Sequence, residues 1–81
     1  MTEQSEEKKV VLELSRAEAL VLFEWLASHD GTLPIEDPSE QDVLWRIEGA
    51  LERALLEPLS PDYKTAVAAA RKAVRESPKP K

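Results

Sequence analysis

Two periods of apolar positions divide the chain. From Lys8 to Leu14, Val10, Leu12 and Leu14 alternate with Lys9, Val11 and Glu13, the two-residue repeat of a half-buried strand. Beyond Ser15 the spacing changes to that of helices. Ser15-Arg16-Ala17-Glu18 has the form of a capping box, in which serine accepts from the amide three residues on and glutamate reaches back. The helix it opens carries Ala19, Leu22, Phe23 and Leu26 on one side and Ala17, Val21 and Trp25 on another, divided by Glu24 and Ser28. It is therefore expected to be apolar on two sides. Asp30-Gly31 supplies a residue that tolerates the left-handed conformation in which helices end.

Gly31 to Pro38 holds two prolines, with Leu33 and Ile35 as its large apolar groups. It reads as an ordered loop tucking those two side chains under the bundle. Ser39-Glu40-Gln41-Asp42 resembles a second capping box. From there Val43, Leu44, Ile47, Ala50, Leu51, Ala54 and Leu55 fall on one broad stripe, as a core-facing helix requires. Trp45, Gly49 and Leu56 lie near the opposite side. Glu57-Pro58 ends this helix, and Ser60-Pro61-Asp62 opens a third with serine as N-cap. Tyr63, Ala66, Val67, Ala70, Ala73 and Val74 form its inner face.

The pattern predicts a mainly α fold: one short N-terminal β-strand (9–14) followed by a three-helix bundle (16–29, 40–57 and 61–76). Residues 8–76 make a single helical domain between polar, disordered tails at 1–7 and 77–81. Only about 65 to 70 residues then build the core. A domain of that size buries only about 60% of the surface its unfolded chain exposes, so its stability is marginal unless something else contributes. The chain has no cysteine, which excludes disulfides and thiolate metal sites. Association, and in particular a homodimer, is the remaining source of stability. No apolar stretch follows a basic region at the start, so neither a secretion signal nor a membrane span is expected, and the protein is placed in the cytoplasm.

Charge sharpens this picture. The net charge is −5, but 15 acidic and 5 basic residues precede Tyr63, while 1 acidic and 6 basic residues follow from it. An acidic body repels phosphate and favours a cationic partner.

Candidate chemistry is sparse. His29 is the one histidine and stands at a helix end, where the dipole favours its cationic form and capping is common. Beside Asp30 it is the best available catalytic or ligand candidate. No serine sits in a nucleophile elbow, and two glycines, Gly31 and Gly49, cannot build a phosphate cradle. The carboxylates Glu36, Asp37, Glu40 and Asp42 lack the alternating ligands and turn glycine of a calcium loop; the dipole at a helix start accounts for them, and they also form a docking patch for a basic protein. The sequence thus predicts no catalytic residue, cofactor or metal.

The order strand, helix, helix is that of the ribbon-helix-helix repressors, whose paired strands enter the major groove. The outward strand face here would be Lys9, Val11 and Glu13, and a glutamate beside phosphates opposes that use. The alternative of a DNA-binding regulator with such a dimer rests on this order and on the basic third helix. A further alternative is a structural homodimer without catalytic activity.

The segments Leu14 to Glu24, Glu40 to Trp45 and Glu57 to Tyr63 resemble those of a group of small bacterial helical proteins with no assigned activity, over about residues 10 to 75. Small acidic bacterial proteins of this kind are often immunity proteins or antitoxins, an analogy of size and charge. The leading expectation is accordingly an acidic protein–protein interaction module, in its most concrete version a toxin-neutralising immunity or antitoxin protein acting by occlusion. Its contact residues would be Trp25, Trp45 and Gly49 for apolar burial, with Glu36, Asp37, Glu40, Glu48 and Glu52 for charge. Tryptophans rimmed by charge are typical interface anchors.

Overall fold

The computed structural model describes residues 8–79. Among them are three α-helices, α1 (Arg16–His29), α2 (Pro38–Ala54) and α3 (Tyr63–Glu76), with one 3-10 turn, Glu57–Leu59, between α2 and α3. The tail expected at 1–7 and residues 80–81 of the tail expected at 77–81 lie outside the described residues. Ser77, Pro78 and Lys79 are exposed and follow the last helix without regular structure.

α1 starts where its capping box dictates. The Glu18 amide donates to Ser15 Oγ at 3.0 Å, and the Ser15 amide donates to Glu18 Oε1 at 2.8 Å. Two amides that lack helical partners are thus satisfied. At the other end Gly31 takes a φ of +86°, which a side chain would strain, and both the amide and the hydroxyl of Thr32 donate to the His29 carbonyl.

α1 is the central element. It packs along α3 and, less extensively, on α2. Leu20, Phe23, Leu55, Val67 and Ala70 form the buried cluster, and Ala17, Ala19, Val21, Leu51, Tyr63 and Ala66 pack around it. Leu26 is buried as well, further along α1. Both sides of α1 contribute, as its two-sided pattern predicts. Leu20, the most buried residue at 3% exposure, belongs to neither face read from the sequence. α3 turns Val67 and Ala70 inward, and its small side chains let the backbones approach. Ala73, expected on the inner face, is exposed.

Five expectations are corrected. The strand at 9–14 is not formed: among the described residues no strand occurs, and Val10, Val11 and Leu12 are at least 80% exposed. A strand needs a neighbour for its backbone groups, and within one copy no described residue provides it.

α2 starts two residues before the expected 40, because Asp37 rather than Ser39 caps it. Asp37 Oδ1 accepts from the Ser39 amide at 2.8 Å, and Pro38 occupies the first turn, where its missing amide hydrogen costs nothing. α2 also ends at Ala54, short of 57. Leu55 leaves the helix at φ −105°, ψ 144° and is buried at 4% exposure, while Pro58 directs the chain into the 3-10 turn.

α3 begins at Tyr63 instead of 61, since Ser60 Oγ accepts from the Asp62 amide at 3.0 Å and holds Ser60-Pro61-Asp62 as a turn. Finally, the broad stripe on α2 is not a core face. None of its helical residues is buried. Leu44 and Leu51 are half-buried, whereas Val43, Ile47, Ala50 and Ala54 face outward. The helix touches its neighbours along one edge of the stripe only.

Candidate protein-binding surface

The surface around the two tryptophans is assembled by α1, its C-terminal turn and α2. Trp25 on α1 is 44% exposed and Trp45 on α2 is 52% exposed. Each is held in place. The Trp25 ring stacks on His29, with centroids 4.7 Å apart and planes 26° from parallel. His29 Nδ1 also lies 2.8 Å from the Trp25 carbonyl; a carbonyl only accepts, so Nδ1 is the protonated nitrogen. Trp45 Nε1 donates to Asp30 Oδ1 at 3.1 Å, joining α2 to the end of α1 across fifteen residues of chain. His29 and Asp30 are thus used in fixing the two tryptophans.

On α2, Trp45, Glu48, Gly49 and Glu52 follow the i, i+3, i+4, i+7 spacing and share one side. Gly49 is half-buried. A Cβ there would meet Arg53 Nη1 at 3.5 Å, ordinary van der Waals contact, so the space beside Trp45 is occupied by an arginine and is not an empty notch. Leu56, read as the continuation of this line, is 73% exposed but lies beyond the end of α2, turned by Leu55. It does not extend the helical surface.

The remaining acidic candidates divide. Asp37 caps α2, and the Ser39 amide holds its carboxyl below the usual aspartate value. Glu40 Oε1 accepts from the Glu36 amide at 3.1 Å, so the Asp37 and Glu40 carboxylates serve the start of the helix, and all three acidic residues stay exposed. Glu48 is half-buried and Glu52 exposed. Glu24, which divides the two apolar sides of α1, is turned to α3: it accepts from the Tyr63 hydroxyl at 2.6 Å and from Ser28 Oγ at 2.8 Å. Those two bonds, Tyr63 first, hold its carboxyl below the ordinary value near 4.5. Burial, and then the Glu24 carboxylate, raise the Tyr63 phenol well above its ordinary value of 10, so it is a donor at neutral pH.

Sequence reasoning missed the Trp45–Asp30 bond, the Trp25–His29 stack and the Glu24–Tyr63 bond. The four-residue spacing of Trp25 and His29 carried a signal for the second; the other two join separate elements. Among the described residues no group of three or more histidine or acidic side chains is gathered as a metal site would need. No helix among them is long and apolar enough to cross a membrane.

Fold and surface together define a small three-helix protein with two positioned, half-exposed tryptophans on an acidic side. No protein-family model, curated protein or solved structure matches the chain.

Proposed function

We propose that this chain is a non-catalytic protein-interaction module whose acidic side docks a basic protein, with Trp45 as the central anchor and Trp25 as the second. The observation that carries the reading is the half-exposed indole of Trp45, fixed by Asp30 and sharing one side of α2 with Glu48 and Glu52. A half-exposed indole with carboxylates on its side of the helix suits a lysine or arginine side chain, which gains both cation–π and ionic attraction. A ring already held in one orientation loses little entropy on binding. Its most concrete form is an immunity or antitoxin protein that occludes the active surface of a cationic toxin. Glu36, Asp37 and Glu40 at the start of α2 extend the negative field and steer the approach of the partner.

The test is affinity capture with the full chain, followed by titration of the captured protein. A basic partner is expected, bound more weakly as salt rises. Trp45→Ala should weaken it by about 2 kcal/mol, a loss of roughly thirtyfold. Retention of full affinity in Trp45→Ala and in Glu48→Lys/Glu52→Lys would refute the assignment.

A further inference from the structure

The segment Lys8 to Leu14 has a strand's pattern and no strand's partner. Val10, Val11 and Leu12 are 87%, 81% and 80% exposed, and among the described residues none pairs with the backbone of 8–14.

We infer that this segment pairs with the same segment of a second copy, antiparallel, about a two-fold axis through Val11. The register follows from side-chain parity. In an antiparallel pair, directly opposed residues lie on the same face. Centring on Val11 sets Val11 against Val11 of the second copy, Val10 against Leu12, Lys9 against Glu13 and, at each end, Lys8 against Leu14. One face of the ribbon then gathers Val10, Leu12 and Leu14 from both copies. The other carries two Lys9–Glu13 pairs on either side of the central valines.

Other arrangements lose this match. Centring on Val10 or on Leu12 sets a charged residue opposite Val11. A centre between two residues brings the apolar set of one copy onto the charged face of the other. Parallel pairing opposes Lys9 to Lys9 and Glu13 to Glu13, which is destabilising. Of these arrangements, the Val11-centred antiparallel register alone pairs Lys9 with Glu13 while keeping Val10 against Leu12. The charges on the outer face cancel within the ribbon, so that face is built for self-pairing and not for phosphate. The inference does not depend on the acidic side of α2, and its test contains no other protein.

A two-stranded ribbon alone is marginal in water, so the experiment uses the full chain. The chain has no cysteine, which makes introduced thiols unambiguous. At the two-fold position Cα atoms approach to ~4.5–5.5 Å, within disulfide range, whereas residues 10 or 12 and their own counterparts stand about 8 Å apart, beyond it. Val11→Cys should therefore cross-link under mild oxidation at least tenfold faster than Val10→Cys or Leu12→Cys. In sedimentation equilibrium, Lys9→Glu and Glu13→Lys should each weaken the dimer, and mixing the two variants should restore it as a heterodimer. A wild-type monomer at micromolar concentration, equal cross-linking at the three positions, a dimer that Val11→Cys does not cross-link, or no recovery on mixing would overturn the inference.

Discussion

Leu20→Ala tests where the core lies. Leu20 is 3% exposed and packs with Phe23, Leu55, Val67 and Ala70 between α1 and α3. Its neighbours in the shallow groove between the two helices include Ala17, Ala66, Ala69, Ala70 and Ala73, side chains too short to refill a lost isobutyl group. Truncation should cost about 3 kcal/mol. A domain this small has a total stability of roughly 4–11 kcal/mol, and six buried apolar residues place it toward the lower end. The substitution thus removes around half of it and lowers Tm by roughly 12–24 °C. The paired control is Val43→Ala on α2. Val43 is 51% exposed, and alanine gains a little helix propensity, so the change should stay within about 0.5 kcal/mol. Urea denaturation followed by far-UV circular dichroism measures both. Equal losses for the two variants would refute this placement of the core and return the α2 stripe to the interior.

Three further outcomes follow from the geometry. Ser15→Ala removes the capping box of α1 and should cost about 1 kcal/mol, read as a lower urea midpoint with an unchanged m-value. Gly31→Ala forces a side chain into φ +86° and should cost about 1 kcal/mol in the same assay, although nothing lies within 4 Å of the added carbon. Tyr63→Phe deletes the hydroxyl that Glu24 accepts and should cost about 1 kcal/mol at pH 7. The folded Glu24 carboxyl titrates below its ordinary value, so its contribution is present above about pH 4.5 and is lost as pH falls through the lowered value. The Tyr63 phenol titrates above its ordinary value, so its contribution is present below about pH 10 and is lost as pH rises beyond the raised value. The gap between wild type and Tyr63→Phe should therefore be widest near neutrality and narrow below pH 4. A gap independent of pH would contradict the Glu24–Tyr63 bond.

The helices were legible because their signals are local. Ser15 with Glu18, Gly31 after His29, and Pro58 beyond α2 act within a turn of the chain, and each marks the boundary or break it implies to within a few residues. Where two cap signals overlap, at Asp37 and Ser39, the choice turned on Pro38, which fits the first turn. Periodicity on α2 showed that one side is apolar but not what covers it. Leu51 and Leu55 pack with the core and Leu44 is half-buried, while Val43 and Ile47, a fraction of a turn away, are exposed. The alternation at 9–14 likewise records a capacity to pair, and pairing needs a second strand that a single copy does not supply among its described residues. Trp25 and Trp45 could be listed as anchors from their positions. That His29 and Asp30 hold them depends on how α1 and α2 meet, which no local pattern encodes.

On the proposed function, the Trp45 side of α2 is the surface a protein partner covers. The indole N–H of Trp45 reports on it directly, because it is fixed to Asp30 at 3.1 Å and gives a separate signal in a ¹⁵N–¹H correlation spectrum. Adding the captured basic partner to the labelled full chain should shift or broaden that signal together with the amides of Glu48 and Glu52. A stoichiometric complex in which these three signals stay unmoved would refute this placement of the interface.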